Sequence, residues 1–199
     1  MSLSKDKGDQ NPLEKALAAY LKALHTKPLL TKAVTSGVIA SIGSLASQLI
    51  VPNPQNGGKI VWRSVAAYAA FGFVVSGPLI HKFYILLDKI MPPKKEKTAI
   101  DGIKRVIVDR LIFAPPFLLL FLYVITILEG QGHHAAIARI KESFWPVYKL
   151  NLQVWTVFQY VNINYVPPKY RVLFGNVLAL VWSIFVASKR RKMALAAKQ

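Results

Sequence analysis

The stretch LIFAPPFLLLFLYVITIL, Leu111 to Leu128, runs for 18 residues without a charge. A helix needs roughly 20 apolar residues, within a range of about 17 to 25, to cross the hydrocarbon core of a bilayer. Three further windows have the same character: Ala33 to Val51 with 19 residues, Ser64 to Ile80 with 17, and Val172 to Ser188 with 17. A soluble helical bundle would carry a charged stripe along each helix, and these windows carry none. The reading is all-α: an integral membrane bundle of four transmembrane helices with amphipathic interfacial helices.

Composition agrees. Of the 199 residues, 53% are hydrophobic and only 18% charged, which is greasy for a soluble domain. Lys and Arg number 26 against 9 Asp and Glu, a net charge of +17. Such an excess serves nucleic acid or an anionic membrane surface. Here the basic residues sit between the apolar runs, which favours membrane lipid as the partner over nucleic acid. The chain has no cysteine, so disulfides, thiolate metal sites and a cysteine nucleophile are excluded. The N-terminal residues lack the apolar core of a secretory signal, and the C-terminus carries no prenylation box or Ser-Lys-Leu address.

Along the chain, residues 1–27 form a polar tail that contains an amphipathic helix, PLEKALAAYLKAL, with Leu13, Leu17, Tyr20 and Leu24 on one stripe. Residues 28–188 form the membrane domain, with spans expected at 30–51, 61–90, 104–128 and 171–188. Residues 189–199 form a basic tail. The first span is dense in small residues: Ala33, Gly37 and Ser41 recur every four positions, as do Ser36, Ala40 and Ser44. That spacing lets helix backbones approach closely. Pro115 and Pro116, inside the third span, remove backbone donors and predict a kink whose freed carbonyls a neighbour must cover. Counting Lys and Arg between the spans places most of them on the side of both tails, which predicts both termini in the cytosol.

The segment at 146–164 is harder to classify, because Lys149, Asn151, Gln153, Gln159, Asn162 and Asn164 interrupt an apolar sequence. On a helix, Leu150, Val154, Val157, Val161 and Tyr165 make an apolar stripe. Tyr148, Asn151, Trp155, Gln159 and Asn162 make a polar-aromatic one. KLNLQV alternates like a strand, but a lone strand would leave its edges unpaired in lipid. An amphipathic helix is expected, with lipid against its apolar stripe and protein or a water-filled cavity against the polar ones, either at the membrane interface or at membrane depth. Its amides either pack and cap, or line an aqueous path.

Charges also fall inside the spans: Lys82 and Asp88 in the second, Asp109 and Arg110 in the third. Each is costly at bilayer depth and calls for a partner. Similar depth predicts a Lys82–Asp109 pair, or one between Arg110 and Asp88; the alternative is that each snorkels separately to the headgroups. His133 and His134 lack a carboxylate or thiol at ligand spacing, and no phosphate loop, dinucleotide fingerprint or nucleophile elbow is present. Neither a metal nor a cofactor is expected, nor an enzyme.

FWPVYKLNLQVWTVFQYVNINYVPPKYRVLFGNVLALVW, with Trp145, Pro146, Asn151, Gln159, Asn162, Pro167, Arg171 and Trp182, resembles the C-terminal signature of a small family of organellar membrane proteins. That family has members in the peroxisomal membrane and in the mitochondrial inner membrane. The similarity extends through LTKAVTSGVIASIGSLASQ, GFVVSGPLIHKFY and DRLIFAPPFLLLFLYVITILEG, from about Leu30 to Ser188. TKAVTSG, DRLIFAPPF and NINYVPPKYRVLF are most like the peroxisomal side of the family. The resemblance implies a four-span fold with both ends cytosolic and a channel role for small water-soluble metabolites. It also implies insertion by a cytosolic import receptor, and it leaves homo-oligomerisation open. The peroxisomal membrane is the expected location, the mitochondrial inner membrane the alternative.

Neutral hydroxyls and amides make a weakly selective path, since they offer donors and acceptors without a fixed charge. The candidate lining is Ser36, Ser44, Ser47, Gln48, Asn151, Gln159, Asn162 and Asn164. The competing reading is a structural or adaptor membrane protein without a pore of its own.

Overall fold

The computed structural model describes residues 12–52, 54, 57–92 and 99–196. Residues 1–11 of the expected N-terminal tail, Lys94, Lys95 and Lys97 of the loop after the second span, and residues 197–199 of the basic tail lie outside them. Among the described residues every regular element is helical. In chain order these are α1 (Pro12–Thr26), α2 (Pro28–Ile50), α3 (Trp62–Ala70), α4 (Gly77–Ile90), α5 (Ala99–Ile107), α6 (Ala114–Leu128), α7 (Gly132–Asn164) and α8 (Arg171–Ala196). Helices α3 and α4 are joined without a break by a π-helical turn, Phe71–Ser76, and α5 and α6 by another, Val108–Phe113.

Among the described residues three helical segments are long and apolar enough to cross a membrane: Pro28–Ile50, Trp62–Ile90 and Ile100–Leu128. A shorter apolar one covers Arg171–Phe185. These correspond to the four expected spans. Their outward faces are apolar and exposed, with Val34, Val38, Ile42 and Leu49 on α2, Leu111, Ile112, Leu119 and Leu120 on the third span, and Val177, Val181 and Phe185 on α8. Such faces need hydrocarbon around them. The chain is therefore an all-α membrane bundle.

Both π turns sit next to proline. Pro78 follows the first and Pro115 and Pro116 follow the second, and proline supplies no N–H to an α-helical ladder. In each case the ladder widens to i→i+5, seen where Gly77 N–H donates to the Gly72 carbonyl and Ala114 N–H to that of Asp109. The kink expected at Pro115 and Pro116 thus takes the form of a wider turn. The wide turn leaves the Arg110 carbonyl facing Pro115, which cannot donate. Tyr148 Oη on α7 donates to it at 3.0 Å.

The first π turn also decides how α2 packs. Gly72 and Gly77, five residues apart, both face α2. A Cβ on Gly72 would stand 2.5 Å from the Ser36 carbonyl oxygen, and one on Gly77 2.6 Å from Ala33 Cα. Small residues on α2 meet glycines on the neighbouring span, as the spacing of Ala33, Ser36 and Gly37 led us to expect.

Helix α7 corrects the interfacial placement, one of the two expected for 146–164. It has 33 residues, about 50 Å at the usual helical rise, and runs antiparallel to α5 and α6 over its whole length. Arg139 meets Thr126 near one end, Arg110 meets Tyr148 and Asn151 in the middle, and Asn164 sits against Gly102 at the other end. Pro146 lies inside it without ending it. The apolar residues Leu150, Val157, Val161 and Tyr165 are exposed, while Tyr148, Gln159 and Asn162 are buried. The stripes predicted from sequence therefore sort as a helix between lipid and protein.

Helix α8 returns from the Tyr165–Tyr170 turn and runs parallel to α2. Asn176 meets Ser36 and Ser183 meets Gly43, in the same chain direction. The start of α2 and the far end of α8 therefore lie at opposite ends of the bundle. This departs from the charge count that placed both tails on one side, because that count left α7 out of the helices running through the bundle.

Candidate functional site

A cavity of about 670 Å³ lies between α2, the α3–α4 span, α6 and α8. Its polar wall is a seam along α2, with Ser36, Ser44, Ser47 and Gln48, faced by Asn176 and Ser183 of α8 and by Ser64 and Ser76. The opposite wall is aromatic: Tyr68 and Phe71 with Phe117 and Phe121 of α6, and Trp182 of α8. Phe71 and Phe121 hold each other edge to face at 5.3 Å. The seam follows α2 from Ser36 to Val51, about 22 Å along the helix axis.

Several polar groups along the seam bond locally or across it. Asn176 Nδ2 donates to Ser36 Oγ at 2.7 Å, and Gln48 Nε2 reaches Ser44 Oγ at 3.4 Å. Gln48 Oε1 accepts from Val61 N–H at 2.7 Å, tying the loop before α3 to the end of α2. Ser183 Oγ donates to the Leu180 carbonyl at 2.8 Å. The cavity ends at Ser36, Ser76 and Asn176. One turn further on, Ala33 closes on Gly77, and Val172 enters a buried cluster with Tyr84, Leu87, Val106 and Ile163.

The eight residues expected to line one surface divide into two groups. Ser36, Ser44, Ser47 and Gln48 line the cavity. The four amides of α7 lie elsewhere, and each binds protein. Gln159 Nε2 and Asn162 Nδ2 both donate to Tyr84 Oη at 2.9 Å, and Asn162 Nδ2 also reaches the Arg171 carbonyl at 3.2 Å. Asn151 Oδ1 accepts from Arg110 Nη1 at 2.7 Å, and Asn164 Nδ2 donates to the Tyr160 carbonyl at 2.9 Å. The physical reason is the position of α7, which packs on α5 and α6, away from the α2–α8 seam.

The intramembrane charges pair differently from expectation. Asp109, 1% exposed, is held by its chain neighbour Arg110, whose Nε lies 2.6 Å from its carboxylate. Asp88 is bound by Arg171 Nη1 at 3.0 and 2.9 Å to its two oxygens, and by Arg105. Lys82 is exposed on the outer side of α4. Neither the Lys82–Asp109 pair nor an Arg110–Asp88 pair forms. Residue 82 looks out of the bundle, and an exposed lysine can carry its ammonium to the headgroups on a flexible stem.

Arg171 also donates from Nη2 to the Ile163 carbonyl at 3.0 Å and from Nε to the Val166 carbonyl at 3.2 Å. It fastens the end of α7, the turn and the end of α4 together. Of the other signature residues, Trp145 is exposed on α7, Pro167 lies in the turn and Trp182 lines the cavity. The sequence reading missed Asn176, Ser183, Ser64 and Ser76 on the cavity wall. An asparagine within the otherwise apolar VLFGNVLALVW was the available signal for the first. It also missed Lys32, a buried ammonium 3.1 Å from His81 Nδ1.

Comparison with known proteins gives the chain a context. Residues 126–187 match the model of the Mpv17 / PMP22 family. The chain is 42% identical over 177 residues to Peroxisomal membrane protein 2 of Bos taurus, covering 87% of this chain and 89% of that protein. It is 32% identical to Peroxisomal membrane protein PMP22 of Arabidopsis thaliana, over 95% of this chain and 97% of the relative. To Protein SYM1 of Saccharomyces cerevisiae the identity is 31%, over 90% and 92%. No solved structure matches. With identity at this level along nearly the whole length of several relatives, the chain belongs to the Mpv17 / PMP22 family of membrane proteins.

Proposed function

We propose that this protein is a channel component of a peroxisomal membrane that passes small hydrophilic solutes with little selectivity. The carrying observation is the hydroxyl and amide seam of Ser36, Ser44, Ser47, Gln48, Asn176 and Ser183 along a cavity inside a bundle whose outer faces are apolar. Hydroxyls and neutral amides at such depth suit water and uncharged or weakly charged solutes alike. The peroxisomal assignment rests on the names of the bovine and plant relatives. The test is solute flux through vesicles reconstituted with the purified protein, graded by solute size, beside the variants Ser44→Leu and Ser47→Leu. Flux in the parent protein and a clear loss in both variants, with unchanged thermal unfolding, is the expected result. Persistent absence of flux from folded parent protein would sink the proposal.

Two observations favour a second reading. The cavity ends blind at the Ser36–Asn176 hydrogen bond, and the amides of α7 are engaged in protein contacts. A scaffold or adaptor without a pore would look like this, and it predicts no flux in parent or variants.

A further inference from the structure

Helix α1 stands at one end of the bundle with much of its apolar face exposed. It packs mainly against α2, and Leu24 near its C-terminal end is 4% exposed. Leu17 and Leu21, on the same stripe, are 56% and 37% exposed. Lys15 and Lys22, both exposed, stand two turns apart on the opposite face. Exposed lysines continue at the same end of the bundle, with Lys27 before α2, Lys89 at the end of α4 and Lys104 on α5.

We infer that α1 lies in the plane of the membrane on a leaflet rich in anionic phospholipid, with Leu17 and Leu21 in the acyl boundary and Lys15, Lys22 and Lys27 among the phosphates. An amphipathic helix at the boundary of headgroups and acyl chains buries its leucines by a few ångströms and leaves its polar face in the phosphate layer. Charge selects the occupant. A zwitterionic surface offers the lysines at this end no net countercharge, whereas anionic headgroups do. The inference does not depend on whether the cavity conducts.

Because the chain contains no cysteine, single probes can be placed without background. The full-length protein carrying Leu17→Cys or Lys15→Cys, nitroxide-labelled, is reconstituted in phosphatidylcholine vesicles containing phosphatidylserine. The label at 17 should be accessible to oxygen and shielded from a water-soluble nickel chelate, and the label at 15 the reverse. Spin-labelled phosphatidylserine should be enriched around the protein over phosphatidylcholine. The Lys15→Gln and Lys22→Gln variants should each lower that enrichment by up to about fivefold, and added salt should lower it in the parent. Since the altered side chains are exposed, thermal unfolding should stay unchanged. A label at 17 open to the chelate would put the helix in water and overturn the inference. Shielding from both reagents would mean that a protein, such as a second copy, covers it. Enrichment indifferent to the glutamine variants would equally defeat the anionic-lipid assignment.

Discussion

Arg171 shows how a single side chain holds a membrane fold together. Its guanidinium is 4% exposed and donates to both oxygens of Asp88 and to the Ile163 and Val166 carbonyls. A planar donor fork suits such a set, and lysine could not replace it. Breaking a fully buried pair costs about 3 to 5 kcal/mol; Asp88 is 24% exposed and keeps Arg105 when Arg171 is removed, so that range is an upper bound here. Arg171→Met and Asp88→Asn should each lower stability in detergent strongly, whereas Lys82→Met, on the outer face, should leave the unfolding midpoint in place. A large loss for Lys82→Met would contradict the pairing described here. Tyr148 offers a finer test. Its hydroxyl serves the Arg110 carbonyl that the proline after the π turn cannot, so Tyr148→Phe should cost about 1 to 3 kcal/mol for the unpaired buried group. Chemical unfolding of the two proteins side by side measures it. Charge and depth were legible in the sequence at this scale, but partners were not. Asp109 and Arg110 are adjacent in sequence, and the orientation of their side chains depends on the π turn.

At the scale of elements, the π turns set which residues face inward. In a regular α-helix, residues three or four apart share a face. The wider turn brings positions five apart, Gly72 with Gly77 and Asp109 with Ala114, onto the buried side. The spacing of small residues on α2 was visible because α2 is regular, while its partner surface on the next span was not. Gly77→Val should force α2 and α4 apart, because its Cβ would meet the Ala33 backbone at 2.6 Å. Overpacking of this kind costs about 1 to 3 kcal/mol, read as a lowered melting temperature. A variant as stable as the parent would show that the contact yields. The amides of α7 belong to this scale too. Their stripe was read correctly as facing away from lipid, but what it faces is Tyr84, Arg110 and the end of α8.

For the whole molecule, the consequence lies in the path of the chain. Because α7 runs the full height beside α5 and α6, and α8 then runs parallel to α2, the two ends of the described chain point to opposite ends of the bundle. Protease protection of an N-terminal and a C-terminal tag in sealed organelle membranes should therefore report opposite faces. Both tags on one face would show that α7 does not cross. The same arrangement separates α8 from α6 and leaves the cavity between them, with the serines of α2 on its back wall.

What the sequence determined by itself was the solvent and the elements. Charge-free runs of span length admit hydrocarbon as their surroundings, and residue spacing sorts each helix into a lipid side and a protein side. What only the tertiary structure decided was which protein sides meet. Membrane helices share a nonspecific apolar exterior, so their partners are selected by a few close backbone approaches and buried hydrogen bonds. Those depend on local departures from α-helical geometry, here two π turns next to prolines, that join residues distant along the chain.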